Sequence, residues 1–448
     1  MKKDTYIIKG RVLHFIDEPD TTPENAYEYY KTGALVVEDG KIAFCGEASD
    51  AVSRYPTYNI VDRSNKLIIP GLIDTHMHYP QTEMIGAYGE QLLEWLETYT
   101  FPTERKFSDK AYAKDVSDRF IAECLRNGTT TAMVFGTIHP ESVDAFFEVS
   151  DSYNMRNICG KVLMDRNAPD YLLDTDLDTA KKQTEDLIHR WHNKGRQLYA
   201  VTPRFTPTCT PEMMTVAKEL MDTAPDLYMH SHLSENKGEC AWVAELEPEA
   251  TDYLDAYDRY GLVGPRSVFA HGIHLSEREY KRLAETGAAI AHSPTSNLFL
   301  GSGLWNKKAC QEHGVRAGLA SDVGAGTSFS QLQTLNEAYK IQQLQGEKLS
   351  AFQSFYFATL GSAKSIYLDD KIGNFEEGKE ADFIILDNSG TELMDYRQSH
   401  CKTLEEELFV LGTIGDDRSI KETYVMGVCV YDKDQGFRRP PVELKAVS

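Results

Sequence analysis

Residues 67–83 read LIIPGLIDTHMHYPQTE, and the apolar run with which they begin predicts a strand that is buried on both faces. The run ends in two histidines, His76 and His78, with one residue between them. Residues i and i+2 of a strand point to the same side, with Cα atoms about 6.5 Å apart, so both imidazoles can reach one metal ion. An isolated pair of this kind is as compatible with chance placement in a loop as with a metal site. The rest of the chain must decide between the two.

Seven further strand-like runs follow, and the segments between them carry helix periodicity. The eight runs span residues 67–78, 130–137, 157–166, 198–205, 227–235, 267–275, 288–297 and 315–324. Strands that alternate with helices eight times predict an α/β protein with a TIM-like (β/α)₈ barrel, whose strands are buried on both faces. An open doubly wound sheet is the alternative, but no GxGxxG motif follows the first strand and the sequence has no P-loop motif.

The two ends of the chain have a different pattern from the middle. Short β signals occur in YIIKGRVLHF and GALVVEDGKIAFCG near the start, and in EADFIILD and TYVMGVCVYD near the end. We therefore predict that residues 67–372 form the catalytic barrel. Residues 1–66 and 373–448 are predicted to form one small β-sandwich-like domain from both chain ends.

The bulk composition restricts the partners and the compartment. Of the 448 residues, 41% are apolar and 26% are charged, which is ordinary for a globular protein. The formal charge of −22 argues against nucleic acid or an anionic membrane as a partner. The sequence has no secretory h-region, and no window approaches the roughly 18 apolar residues of a membrane span. Its eight scattered cysteines lack a CxxC motif, which suggests reduced thiols, so we predict a cytoplasmic protein.

Polar side chains with useful chemistry lie at the end of nearly every predicted strand. They are His76 and His78, Asp165 and Arg166, Arg204, His232 and Glu235, His271, Ser293 and Asn297, and Asp322. In a barrel these strand ends share one face, where the active sites of this fold are built. Two or three histidines with one carboxylate and an open position are typical of a catalytic metal site, whereas a structural zinc site is closed. The pattern therefore favours a metal-dependent enzyme.

Other histidines near the strand ends are predicted to be structural. His230 forms a second HxH pair with His232, but it lies one step deeper and is expected to hydrogen-bond within the barrel. His139, His274 and His292 are interpreted as structural as well.

The motifs at these strand ends resemble those of the amidohydrolase superfamily, in its mononuclear, aminohydrolase-like branch. They are PGLIDTHMH (70–78), HLSE (232–235), FAHGIHL (269–275), AHSPTSN (291–297) and SDVGAG (321–326). Three more are similar to the guanine aminohydrolases of that branch, namely HYPQTEMIGAYGEQLLEWLETYTFPTE (78–104), RNAPDYLLDT (166–175) and TPRF (202–205). The resemblance covers essentially the whole chain. It implies a homodimeric hydrolase that converts guanine to xanthine and ammonia.

The resemblance also implies a ligand set for the metal, namely His76, His78, His232 and Asp322. Ser321 stands before this aspartate where many relatives have threonine. Binuclear members of the superfamily bridge two metals with a carboxylated lysine on the fourth strand, and the fourth run here, LYAVTPRF, has no lysine. One metal ion per chain is therefore implied. Histidine and aspartate ligands favour the closed-shell ion Zn²⁺, and Fe²⁺ stays open.

The remaining residues of the resemblance would act on the substrate. Glu235 would be the proton shuttle, and His271 would hold the metal-bound water and nearby ring atoms in place. Gln81, Arg204 and Phe205 would bind the purine. The guanidinium of Arg204 is a planar donor fork that suits the O6 carbonyl, and the ring of Phe205 can stack on a purine. The amide of Gln81 can donate and accept at once.

These residue types permit a hydrolytic mechanism. A metal ion in such a ligand set lowers the pKa of its bound water toward about 7, so hydroxide can attack C2 of guanine, the carbon that bears the amine. Asp322 can take the water proton. Glu235 can protonate the adjacent ring nitrogen and then help the amine to leave as ammonia.

Several alternatives stay open at this point. Glu235 can instead cap the helix that follows it, and Arg204 can be a strand-end ion pair. The protein can be an aminohydrolase for another nucleobase or a triazine. It can also be an inactive barrel used as an assembly module, but such a barrel would lack ligands and none is missing here. The cytidine-deaminase fold needs HxE and PCxxC motifs, which do not occur in a workable arrangement.

Overall fold

The computed structural model of the chain describes residues 5–19, 25–88 and 92–438. The strands among them are β1 (Tyr6–Phe15), β2 (Tyr27–Glu38), β3 (Lys41–Glu47), β4 (Asn59–Pro70), β5 (Leu72–His78), β6 (Thr129–Phe135), β7 (Arg156–Gly160), β8 (Val162–Leu163), β9 (Leu198–Pro203), β10 (Tyr228–Leu233), β11 (Ser267–His271), β12 (Ala289–His292), β13 (Arg316–Leu319), β14 (Phe383–Leu386), β15 (Ile420–Val425), β16 (Val428–Asp432) and β17 (Gly436–Phe437). Residues 1–4, 20–24 and 439–448 of the predicted terminal domain, and residues 89–91 of the longest motif, lie outside the described residues.

The helices lie mostly between the strands of the middle region. They are α1 (Ala48–Arg54), α2 (Leu92–Trp95), α3 (Phe101–Glu104), α4 (Lys110–Arg126), α5 (Pro140–Ser152), α6 (Leu177–Trp191), α7 (Pro211–Met221), α8 (Lys237–Leu246), α9 (Asp255–Asp258), α10 (Glu277–Thr286), α11 (Pro294–Phe299), α12 (Lys307–His313), α13 (Gln331–Leu344), α14 (Ala351–Tyr356), α15 (Ser362–Ser365), α16 (Glu392–Gln398) and α17 (Leu404–Ile414). A π-helical turn at Leu96–Thr100 joins α2 to α3, and another at Phe357–Gly361 joins α14 to α15.

Parallel strands in the order β5-β6-β7-β9-β10-β11-β12-β13 form a nearly closed barrel, and the short β8 pairs with β9. Each of the eight runs predicted as barrel strands overlaps one of these strands, so the predicted (β/α)₈ barrel is confirmed. The third run is interrupted at Lys161 and continues as β8.

The prediction of one strand over residues 67–78 is wrong in one respect. Residues 67–70 belong to β4, which pairs with β1 and β14 outside the barrel, and the barrel strand begins only at Leu72. Gly71 lies between them, where an added Cβ would lie 2.1 Å from Thr130 Oγ1, so the crossing admits no side chain. Because both strands are buried at this point, the apolar pattern does not change where the chain passes from one sheet to the other.

Hydrogen bonds join the last barrel strand to the first at the end that carries the polar residues. The Asp322 N–H donates to the His76 carbonyl at 3.0 Å, and the His78 N–H donates to the Val323 carbonyl at 2.5 Å. Barrel closure therefore brings the segment after β13 against the two histidines of β5.

A separate sheet is built from both chain ends, in the order β17-β16-β15-β14-β4-β1-β2-β3. β1 runs parallel to β4, and the other neighbours are antiparallel. Between β14 and β15 the chain packs against the barrel domain. There α17 lies against α13 and α14, and the ring of Phe409 is 5.0 Å from that of Tyr339.

Each of the eight cysteines is a free thiol. Among the described residues, no helix has both the length and the apolar character needed to cross a membrane.

Candidate active site

The structure brings the four predicted metal ligands together at the carboxyl end of the barrel. His78 Nε2 lies 3.1 Å from His76 Nε2 and 3.2 Å from His232 Nε2. Asp322 Oδ1 lies 3.2 Å from His76 Nε2 and 3.4 Å from His78 Nε2. Ligand atoms that are 2.0–2.1 Å from a tetrahedral cation lie roughly 3.3 Å from one another. The ligand atoms of His76, His78 and Asp322 all lie within 4.8 Å of one another, close enough for one small cation, and His232 Nε2 lies beside that of His78.

Hydrogen bonds and burial prepare the histidines for this role. His232 Nδ1 lies 2.7 Å from the Arg204 carbonyl, which only accepts, so Nδ1 carries the proton and Nε2 offers a lone pair. His76 Nδ1 is similarly engaged by His230 Nε2 at 2.8 Å. Burial lowers the pKa of His76, His78 and His232 well below the ordinary value, so the rings are neutral, as a metal ligand must be. His230 therefore contacts a ligand and hydrogen-bonds within the barrel, as predicted.

Backbone conformation at the site departs from the regular strand. Asp322 has φ 52° and His271 has φ 72°, a left-handed conformation that non-glycine residues rarely adopt. Such residues typically cost about 1–3 kcal/mol and persist when their surroundings hold them in place. The hydrogen bond from Asp322 N–H to the His76 carbonyl is one such restraint. Strain of this kind is concentrated at functional sites.

Asp74 is a buried carboxylate that sequence analysis did not single out. It accepts hydrogen bonds from the Ser321 N–H at 3.1 Å and from the His76 N–H at 3.2 Å, and the Gln331 amide donates to it at 2.5 Å. Burial raises its pKa to about 7. Asp74 thus ties the ligand-bearing ends of the first and last barrel strands together. An aspartate two residues before the HxH pair, inside an apolar strand, was the available signal.

Glu235 and His271 face each other beside the ligand group. His271 Nδ1 lies 2.8 Å from Asn297 Oδ1, which leaves Nε2 at 3.4 Å from Glu235 Oε2 and 3.8 Å from Asp322 Oδ2. Burial raises the pKa of Glu235 to about 7, although the imidazole of His271 opposes this. Burial alone lowers the pKa of His271, but the carboxylates of Glu235 and Asp322 outweigh it and raise that pKa. A carboxyl with a pKa near 7 can both give and take a proton at neutral pH.

The alternative role of Glu235 as a helix cap is wrong. Asn236 is the N-cap of α8, and its side chain accepts from the Gly238 N–H at 2.8 Å. The carboxylate of Glu239 completes the capping box by accepting from the N–H groups of Asn236 and Glu235 at 3.0 and 2.9 Å. The helix start is capped without the Glu235 side chain, which lines the pocket instead.

The same pocket carries the predicted purine-binding residues. Gln81, Arg204 and Phe205 line it together with His78, His232 and Asp322. Its apolar walls come from Leu92, Trp95, Leu96, Leu300 and Ala325. Largely apolar walls with a few convergent polar groups are typical of a small-molecule site.

Arg204 is also half of a buried ion pair, so the ion-pair interpretation is confirmed, and its role in purine binding stays a prediction. Its Nη1 lies 2.7 Å from Glu104 Oε2, and the two side chains are 3% and 1% exposed. Glu104 Oε1 accepts from Gln81 Nε2 at 3.2 Å. Sequence analysis did not single out Glu104, and the only signal was its place at the end of the 78–104 motif.

Other predicted strand-end residues lie away from the pocket. Asp165 accepts from the Thr210 N–H at 2.7 Å, and Arg166 pairs with Glu247 at 3.0 Å. His292 packs outside the barrel, with its ring 4.3 Å from that of Trp305. His139 stands before the first residue of α5, and His274 Nε2 contacts the Ser302 carbonyl at 2.9 Å.

A (β/α)₈ barrel whose strand ends carry converging histidines and an aspartate is typical of metal-dependent hydrolases. The sequence model of the amidohydrolase family matches residues 67–430 of the chain. The chain therefore belongs to this family of metal-dependent hydrolases. The resemblance stated from the motifs is thereby confirmed.

Its relatives within the family include guanine deaminases. Guanine deaminase of Escherichia coli strain K12 is 53% identical over 424 residues, which cover 94% of this chain and 96% of that protein. A solved structure of E. coli guanine deaminase superposes with a TM-score of 0.93 at 52% identity, covering 96% of this chain and 100% of that one. Guanine deaminase from C. acetobutylicum, solved with guanine bound in its active site, has a TM-score of 0.86 at 33% identity and covers 95% of this chain and 100% of its own.

Proposed function

We propose that the protein hydrolyses guanine to xanthine and ammonia. The observation that carries this proposal is one pocket lined at once by the proposed ligands His78, His232 and Asp322, by Glu235, and by Arg204 and Gln81. The metal ligands and Glu235 provide for hydrolysis of a C–N bond, and Arg204 and Gln81 provide donors for a purine edge. High identity to guanine deaminases over nearly the full chain supports the same substrate.

We assign the metal to His76, His78, His232 and Asp322, with one Zn²⁺ per chain and Fe²⁺ as the alternative. The neutral imidazoles and the separations of about 3.3 Å among the ligand atoms support this assignment. When bound, the cation supplies a water molecule of lowered pKa as the nucleophile. His76 and His232 can also group with His271, whose nitrogen lies within 4.8 Å of theirs.

The proton steps then fall to two carboxylates. Asp322 Oδ2, which lies 3.8 Å from His271, can accept a proton from the water that attacks C2. Glu235 can deliver its proton to the ring nitrogen beside C2, take up the proton of the new C2 hydroxyl and pass that proton to the departing amine. The proton held by Asp322 then returns to Glu235. The C2–N bond breaks, ammonia leaves, and the carbonyl of xanthine remains. His271 is held by Asn297 with Nε2 toward both carboxylates, so it can orient the water and the ring atoms near it.

Gln81, Arg204 and Phe205 recognise the substrate in the same pocket. The free guanidinium N–H groups of Arg204 suit the O6 carbonyl of guanine, and the amide of Gln81 suits a ring edge that both donates and accepts. Phe205 offers a ring for stacking and is itself held by Trp242, with ring centroids 6.2 Å apart.

We also propose the domain boundaries, the oligomeric state and the compartment of the protein. We infer a catalytic domain of residues 67–372 and a domain of residues 1–66 and 373–448, and the one sheet that both chain ends share supports this division. Residues 67–70, as the end of β4, belong to that sheet and shift the first boundary to Gly71. We also infer a cytoplasmic homodimer, supported by the free cysteines and by the resemblance of the motifs.

Turnover by purified protein tests the proposed function. We expect ammonia release from guanine, with about one equivalent of zinc per chain by elemental analysis. Cytosine, adenosine and a triazine serve as comparison substrates, since aminohydrolases of this fold act on several heterocycles. Faster release from any of these than from guanine would assign the pocket to that substrate instead.

Glu235→Gln keeps the shape of the side chain but cannot shuttle a proton. We expect it to bind metal and lose roughly 10²-fold or more in kcat for guanine. Glu245→Gln, at an exposed position of α8, is the matched control and should leave kcat unchanged. A Glu235→Gln enzyme within about threefold of wild type would show that the proton comes from elsewhere.

We expect kcat/KM to fall as the pH drops below about 7, because Asp322 must be ionised to take the proton of the attacking water. Burial raises the pKa of Asp322, so its carboxylate takes up a proton at a higher pH than an ordinary aspartate and is lost as a base on the acid side. Burial lowers the pKa values of the histidine ligands, so their protonation does not cause a loss that begins near pH 7. Rates from pH 5 to 8, with metal content measured at each pH, check this. A profile that stays flat down to pH 5 contradicts it.

A further inference from the structure

Glu104 is the last residue of the short helix α3 and lies next to two of the proposed purine-binding residues. Its side chain is 1% exposed and does not line the pocket. One carboxylate oxygen accepts from Arg204 Nη1 at 2.7 Å, and the other accepts from Gln81 Nε2 at 3.2 Å. Glu104 therefore contacts both polar residues that are proposed to read the purine edge.

Contact with Glu104 determines which way the Gln81 amide is turned. An ionised carboxylate only accepts, so the Gln81 atom that faces it must be the nitrogen. The oxygen of the same amide accepts from the Gly324 N–H at 3.4 Å, on the opposite side. Both ends of the amide are thus specified by neighbours, and one hydrogen of Nε2 stays available for a ligand.

The same carboxylate holds the guanidinium of Arg204. This cation is 3% exposed, and a buried charge needs an ionic partner. The ring of Phe101, at the start of α3, lies 5.7 Å from the guanidinium carbon, so the helix contacts Arg204 at two points. Only Nη1 is taken by Glu104, so the other N–H groups of the fork can point to the pocket.

We propose that Glu104 is a positioning residue that sets purine selectivity, and this rests on the proposed function. It acts through Arg204 and Gln81, by aiming N–H donors at the place where the O6 carbonyl of guanine lies. Loss of its charge frees the guanidinium to move and lets the Gln81 amide turn over, so a ligand with O6 loses its partner. A ligand without O6 is little affected.

Hypoxanthine and purine test this, because they differ only in the O6 carbonyl and the N1 hydrogen that accompanies it, and neither carries a 2-amine that can be removed. Their Kd values are measured by calorimetry on the metal-loaded enzyme. We expect wild type to bind hypoxanthine at least about tenfold more tightly than purine, through the O6 contact. In Glu104→Gln the Kd of hypoxanthine should rise about tenfold while that of purine changes by less than about threefold.

Glu83→Gln is the matched control, since Glu83 is an exposed glutamate that pairs with Lys106, and it should keep the wild-type ratio of Kd values. Glu104→Asp, which keeps the charge on a shorter side chain, replaces Glu104→Gln if that variant does not fold, and it should also narrow the ratio. A ratio unchanged in the variant, or an equal weakening of both ligands, overturns the proposal. Guanine turnover by wild type is measured separately. Its absence would refute the proposed function, whereas turnover with an unchanged ratio refutes only the role of Glu104.

Discussion

Asp322→Ala, His76→Ala and His232→Ala are each expected to abolish guanine turnover and metal retention. An open catalytic site has no spare protein ligands, and each of these residues places its ligand atom within 3.4 Å of another. Asp322→Ala has the largest expected effect, because it also removes the acceptor for the water proton. Rates should fall by at least about 10⁴-fold, since both the Lewis acid and the base are lost.

Elemental analysis and ammonia release on the same preparations check this result. His400→Ala is the control for the histidine variants, because His400 is an exposed histidine in the turn after α16 and is not one of the proposed ligands. It should keep full metal content and normal turnover. An Asp322→Ala protein with a full metal complement and a near wild-type rate would refute the four-ligand site.

Guanine should be deaminated at least about a thousandfold more efficiently than adenine, judged by kcat/KM. In the proposed site the free N–H groups of Arg204 would face O6 of guanine, where adenine would present a donor amine. Each buried polar group left without a partner costs about 1–3 kcal/mol, and pockets built to pair such groups can discriminate by 10⁴–10⁵. Comparable rates on the two purines would leave only a generic aminohydrolase.

Arg204→Ala should lower kcat/KM for guanine by about 10–100-fold, the range expected for one hydrogen bond to a charged group, while the metal stays bound. The substitution also leaves Glu104 buried without its cation, which destabilises folded proteins by about 3–5 kcal/mol. The melting temperature is therefore measured with the rates. Arg204→Lys is the companion variant, because it keeps the positive charge and loses the planar fork. Normal efficiency in both variants would show that Arg204 does not contact the substrate.

Sequence patterns predicted the barrel and the convergence of the ligands for a physical reason. Barrel strands are buried on both faces, so they appear as separate apolar runs, and polar residues at their ends stand out against that background. His76, His78, His232 and Asp322 stood among the strand-end residues for this reason, and the resemblance to the amidohydrolases singled them out as the predicted ligands. The same reasoning failed at Gly71, because two buried strands from different sheets form one apolar run there.

The fold and the family could be inferred from the amino-acid sequence, and the ligand group could be predicted from it, since these depend on periodicity and on motifs local to single strands. The roles of Glu235, Asn236 and Glu239 needed the three-dimensional structure, because any of these polar side chains near the start of α8 could have capped the helix. The pairing of Glu104 with Arg204, 100 positions further along the chain, also became visible only in the structure. Such pairs depend on which side chains meet across the barrel mouth, and that is set by the packing of helices and loops from distant parts of the chain.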